Sequence, residues 1–230
     1  MSLLCLFCSF AKKMYDKGVY YPIWGVCLGI ETMAFWAFDP IIDPKSRCHD
    51  TNPSMMTFNF TDQAPSSRLF RNMPKNVLEA LVEKPMAGHF HKFGGSMKMY
   101  ELSKDFQELF VALATNHDAR GMEFISIMEA RHYPFYALQW HPEKVHFMDK
   151  LVAAKDLQQP VEAFAMNKYM SHFLLQEACK NNNSFLSEAE RARFLFEKYE
   201  TQEEFYESIN RVTFANFELP RFDDDACNND

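Results

Sequence analysis

Glycine is scarce in this sequence. Seven glycines among 230 residues leave no material for a glycine/serine hinge, and no internal repeat or low-complexity linker divides the chain. No apolar run approaches the roughly 18–20 residues that cross a bilayer, so no membrane span is expected. No basic stripe occurs. The formal net charge is −7 with both signs interspersed, which argues against nucleic acid as a partner. Six cysteines stand scattered at 5, 8, 27, 48, 179 and 227 without a His/Cys set at zinc-ligand spacing, so no metal site is expected. Their even number permits disulfides without requiring them. The first ten residues, MSLLCLFCSF, are apolar but lack the basic flank and small-residue cleavage site of a secretory leader.

What remains is a chain with 47% hydrophobic residues, long enough for one α/β domain with a sizeable core. A single domain over 1–230 is expected, with a divergent start at 1–11 and a loose tail at 224–230. The apolar segment 19–26 predicts a buried strand, and 28–38 predicts a helix closed by Asp39-Pro40. MTFNF reads as a short strand. The segment 72–85 reads as a helix with Asn72 as cap and Pro74 in its first turn. MAGHFHKF and ALATNH read as strands, with a helix over SKDFQELF between them. MEFISIMEA and PFYALQW read as neighbouring strands joined by the turn RHYP. Helices follow over 161–180 and 187–199, and RVTFANFELPRFD supplies a final strand or edge segment. This alternation predicts an α/β fold, a three-layer α/β/α sandwich with a mostly parallel central sheet.

One corner carries chemistry. In YYPIWGVCLGIE a buried strand turns straight into a helix, with Cys27 at the turn and Gly25 and Gly29 on either side. The pattern G-x-C-x-G fits a nucleophile elbow, where a strained backbone exposes a thiol at the carboxyl end of the sheet. A helix N-terminus at that point favours a thiolate, and the N–H of Leu28 is free to receive an oxyanion. The motif alone leaves a second reading open: a tight turn with an inert cysteine. A cysteine that cleaves amides needs a proton donor for the departing amine. FYALQWHPEK supplies His141 at a strand end, with Glu143 two residues on to hold its far nitrogen.

YYPIWGVCLGIE and YPFYALQWHPEK resemble the signature segments of the class I glutamine amidotransferase-like superfamily. Within it the sequence is most similar to the γ-glutamyl hydrolase family. FNFTD, HFHKF, TNHDARGMEFISIME and the terminal helices agree in order and spacing, so the resemblance runs from about Lys12 to near Asp223. It implies a flavodoxin-like sandwich in which Cys27 is the nucleophile, His141 the general acid/base and Glu143 the carboxylate that orients it. His91, in FHK, matches a second histidine near the substrate; by itself it reads equally as a satisfied loop residue. Glu31 stands where the amidotransferases carry Gln, which favours hydrolysis over ammonia transfer.

The implied substrates are folate (pteroyl) poly-γ-glutamates, cleaved through a γ-glutamyl thioester with no cofactor. Lys92, Lys144 and Arg131 are candidate contacts for their carboxylates. A homodimer and a lysosomal or extracellular location are also implied. In that setting NFT at Asn59 and NNS at Asn182 become candidate glycosylation sites. Two alternatives stand beside this: an impaired or regulatory fragment of the same fold, and a glutaminase subunit of an amidotransferase. The first has a basis in the sequence. Relatives place several strand–helix units and a PGG loop before the elbow. Here 26 residues precede Cys27 and PGG does not occur. The chain reads as N-terminally shortened, with its elbow strand left as a sheet edge and one oxyanion donor lacking.

Overall fold

The computed structural model describes residues 3–38, 45–49, 51–145, 160–195, 200–206 and 209–216. The chain falls into two compact units, Met1–Asn182 and Asn183–Asp230. The first unit holds a five-stranded sheet: β1 (Ile23–Val26), β4 (Asn59–Phe60), β7 (Phe110–His117), β8 (Glu123–Ala130) and β9 (Phe135–Leu138), in the order β1-β9-β8-β7-β4. Two short pairs lie outside it: β2 (Lys45–Arg47) with β6 (Phe93–Gly95), and β3 (Ser54–Met56) with β5 (Ala87–His89).

Helices cover both faces, as the three-layer reading expects. Along β9 successive side chains point to opposite faces. Phe135 and Ala137 join Ile30, Met33 and Ala34 of α2 (Leu28–Ala37), Cys8 and Ala11 of α1 (Leu3–Asp16), and Phe106 of α5 (Lys104–Leu109) in one core. Tyr136 and Leu138 join Val77 and Leu81 of α3 (Lys75–Glu83) and Met166, Met170 and Phe173 of α6 (Glu162–Ala178) in the other. Cys5 and Cys8 stand one helical turn apart in α1, a C-x-x-C spacing that the expectation of no ligand spacing overlooked. Both are buried, and burial pushes the Cys8 thiol up to about 11.

The sheet is mixed. β1 and β9 run parallel, with Ile23 opposite Phe135 and Val26 opposite Leu138; the β9–β8, β8–β7 and β7–β4 pairs are antiparallel. Connection length decides this. The turn 131–134 is too short for the crossover that a parallel pair needs, whereas β1 and β9 are far apart in sequence.

Local chemistry accounts for several boundaries. Ser103 caps α5 by accepting from Phe106 N at 3.2 Å. α3 starts at Lys75 with Pro74, not Asn72, in the capping position, because proline is suited to a helix start and leaves no amide to satisfy. MTFNF divides between β3 and β4. An unforeseen helix, α4 (Met97–Leu102), precedes α5. In the second unit the helix is shorter than expected, α7 (Glu188–Ala192) capped by Ser187, and β10 (Glu200–Tyr206) pairs antiparallel with β11 (Ile209–Asn216). The expected tail at 224–230 lies outside the described residues.

One buried network ties α6 to the sheet. The hydroxyls of Tyr20 and Tyr136 both donate to Glu177 Oε2, the second at 2.9 Å, while Lys180 donates to Oε1. Burial favours a neutral Glu177, yet these donors hold its carboxyl below the usual range.

Only one elbow glycine is sterically required. A Cβ on Gly25 meets the carbonyl carbon of Gly29 at 2.9 Å; a Cβ on Gly29 meets nothing within 4 Å. Gly29 is therefore not needed for space, although it completes the G-x-C-x-G pattern. Gly25→Ala is expected to destabilise the protein by about 1–3 kcal/mol through overpacking. Gly29→Ala is expected to be neutral or slightly stabilising, since alanine is the better helix former. Urea denaturation of both variants checks this.

Candidate active site

The carboxyl ends of β1 and β9 lie side by side, and both leave the sheet into functional turns. Cys27 N donates to Leu138 O at 2.8 Å, extending the parallel ladder by one rung. The chain then reverses. Cys27 has φ 52° and ψ −103°, and it is the one non-glycine residue with positive φ among the described residues. Such a conformation costs on the order of 1–3 kcal/mol and is held by its surroundings. Here Ile30 N and Glu31 N donate to Cys27 O as α2 begins. Leu28 projects its side chain into solvent, 60% exposed, while its first-turn N–H points at the Cys27 thiol.

Two residues beyond Gln139, His141 is fixed from three directions. β9 leads into it, His141 N donates to Gly88 O of β5 at 3.0 Å, and buried Asn167 of α6 donates to Pro142 O at 2.5 Å. His141 Nδ1 lies 2.5 Å from Glu143 Oε1. A carboxylate only accepts, so Nδ1 carries the proton and Nε2 presents its lone pair. Glu143 is exposed on one side; partial desolvation favours its neutral form, but the hydrogen bond and charge of His141 hold its carboxyl below the ordinary range, with Lys144 helping.

The half-buried Cys27 thiol is pushed up, not down, from 9.0. Burial is the main cause, and the Glu31 carboxylate adds to it; the Leu28 N–H and the Lys144 ammonium oppose it. The expected thiolate is therefore not the resting form, because desolvation outweighs the helix terminus. Glu31 is buried in the first turn of α2 and accepts from Gln139 Nε2 at 3.3 Å. A cavity of about 300 Å³ opens next to this centre between β1 and α6, walled by Trp24, Val26, Glu143, Met170, Ser171 and Leu174.

His91 is not open to a substrate. It is 4% exposed. Its Nδ1 lies 2.7 Å from Phe93 O and its Nε2 2.8 Å from Nδ1 of His89. The carbonyl fixes a proton on His91 Nδ1, so His91 Nε2 accepts from His89. That leaves His89 Nε2 a buried acceptor with no partner among the described residues. Burial drives His91 down to about 4 and His89 well below 6.5. Both rings pack edge-on against Phe124, while Phe90, between them in sequence, packs edge-on against His141 at 5.9 Å.

Of the three candidate cations, Lys144 stands at the centre. Arg131 precedes β9 and so lies at the opposite end of that strand from His141; Lys92 is exposed next to His91. Asn59 and Asn182 are both exposed. Sequence reasoning missed Gly88 and Asn167, which hold their partners through or against backbone and carry no motif. It also missed His89, although H-x-H spacing in an extended segment puts both rings on one side.

Comparison with known proteins gives one family match and three similar relatives. The Glutamine amidotransferase class-I family model matches residues 8–154, taking in positions 8–11 that the expected divergent start excludes. The chain is 33% identical over 194 residues to gamma-glutamyl hydrolase of Homo sapiens and 32% identical over 194 residues to that of Rattus norvegicus, in each case covering 84% of this chain and 59% of the relative. It is 32% identical over 188 residues to gamma-glutamyl hydrolase B of Dictyostelium discoideum, covering 80% and 52% respectively. The chain thus spans little more than half the length of the curated relatives it matches.

Two titrations follow from this geometry. Iodoacetamide alkylation of Cys27, followed on its own peptide by mass spectrometry, is expected to rise with pH to a midpoint above 9.0. The buried histidines act on stability. Below pH 6.5 they bind protons in the unfolded chain but not in the folded one, so stability falls as pH is lowered. The loss is up to ~1.4 kcal/mol per pH unit per histidine, until His91 itself titrates at about 4. Urea denaturation of His91→Gln between pH 7 and 4 is expected to show a shallower slope.

Proposed function

This chain belongs to the class-I glutamine amidotransferase family, and we propose that it is a cysteine hydrolase of γ-glutamyl bonds acting on folate (pteroyl) poly-γ-glutamates. The observation that carries this reading is the strained Cys27 corner hydrogen-bonded to the end of the strand that leads to His141. The names of the relatives support the bond type, and Glu31 in place of Gln favours hydrolysis over ammonia transfer.

The reaction follows from the proton positions. A thiol with a raised pKa rests neutral, so His141 Nε2 removes its proton as sulfur attacks the γ-carbonyl. The Glu143–His141 bond keeps Nε2 available and stabilises the imidazolium. The Leu28 N–H receives the developing oxyanion. His141 returns the proton to the departing amine, and the Cys27–carbonyl thioester remains. Water, deprotonated by His141, then releases the acid and restores the thiol. The chain's own side chains and water suffice, without metal or organic cofactor. In this reading His91, with both ring nitrogens engaged, does not touch substrate.

A homodimer and a lysosomal or extracellular location belong to the same proposal by resemblance, and exposed Asn59 and Asn182 are available for glycosylation there. Chromatography of a pteroylpentaglutamate digest is expected to show glutamate or γ-oligoglutamate release. Cys27→Ala lowers it by roughly 10³-fold or more, and His141→Asn by ~10²–10⁴-fold. Release of ammonia from free glutamine instead marks an amidotransferase subunit. Absence of any release for Cys27→Ala to abolish removes the hydrolase reading.

A further inference from the structure

Lys144 makes no direct ion pair, although the Glu143 carboxylate acts on it from farther off. None of the ion pairs among the described residues includes it. It is partly buried, and its Nζ sits 4.2 Å from the centroid of the Phe90 ring, whose edge meets the His141 ring. The cation is thus held by an aromatic face and not by a carboxylate. Its pKa is lowered by burial, opposed by Glu143 and by Cys27. The same coupling appears at the thiol, which Lys144 stabilises as thiolate. Positive charge is therefore kept beside the nucleophile at a desolvation cost that no neighbouring ion pair repays. An arriving anion would complete the arrangement.

A γ-glutamyl group brings such an anion. Its α-carboxylate is separated from the scissile carbonyl carbon by three carbons, so it arrives with the reacting atoms whatever amine departs. We propose that Lys144 is the receptor for the α-carboxylate of the γ-glutamyl group, and that this contact makes the site select γ-glutamyl amides over other amides. The inference rests on the γ-glutamyl reading of the same site. It separates Lys144 from Lys92 and Arg131, which the sequence offers as equals.

The test pairs two substrates with one leaving group: γ-L-glutamyl anilide and 4-aminobutanoyl anilide, which is the same molecule without the α-carboxylate. The protein is expected to favour the first by roughly 10–100-fold in kcat/KM, the worth of one charge-assisted hydrogen bond. Lys144→Met is expected to erase that preference mainly through KM, and Lys144→Arg to restore part of it. If Lys144→Met slows both substrates equally and moves the alkaline limb of the pH profile upward, Lys144 serves only the thiol and the proposal is overturned. A parallel measurement does not depend on turnover: protection of Cys27 from iodoacetamide by L-glutamate against 4-aminobutyrate. Protection by glutamate alone, lost in Lys144→Met, supports the receptor even if neither anilide is cleaved, an outcome that counts only against the hydrolase reading. Equal protection by the two amino acids, or none, overturns it.

Discussion

The parallel pairing of β1 with β9 is the constraint on which the site depends. Four register pairs bring Val26 opposite Leu138, and the Cys27 N–H closes one more rung on Leu138 O. Slipping the register by one residue turns every side chain to the other face of the sheet. It also separates the thiol turn from the histidine turn. The strained backbone at Cys27 survives because the sheet fixes it on one side and the first turn of α2 on the other. Gly25 makes that second contact possible, since its missing side chain lets the strand lie against the Gly29 carbonyl.

Around this pairing the protein arranges charge with little solvent to help. Glu31 and burial disfavour the thiolate; Lys144 and the Leu28 amide favour it. Glu143 stays ionised by bonding to His141. The histidines of β5 and its following loop stay neutral and serve as packing, with their protons directed in one line from His89 through His91 to Phe93 O. The result is a neutral cysteine on one turn and a histidine of fixed tautomer on the turn beside it.

Much of this was legible in the sequence, and the failures have physical causes. The strand–helix corner announces itself because an apolar strand, a glycine and a helix start are local signals. The His141–Glu143 turn does so because proline ends the strand. The α/β layers follow from alternation. The antiparallel majority of the sheet was hidden: a strand's own residues do not state its direction, although the four-residue RHYP turn limits it. The state of the Cys27 thiol was also hidden, because desolvation depends on what packs around a residue and not on what precedes it. The same holds for His91, whose two ring nitrogens are engaged by groups that no spacing rule connects to catalysis. Asn72 lost the cap of α3 to Pro74, a competition between two acceptable helix starts.

α6 borders the site at Asn167 and along the cavity wall at Met170, Ser171 and Leu174, and is anchored again beyond it. Asn167 grips the Pro142 carbonyl, and ten residues later Glu177 is fastened to Tyr20, Tyr136 and Lys180. At ~1.5 Å per residue these points lie roughly 15 Å apart on one rigid rod. Between them Met170 and Phe173 lie in the core and Tyr169 donates to Leu69 O, so the helix is seated along its length. The turn that carries the imidazole is thus tied, through one amide, to a helix that the core itself holds in place.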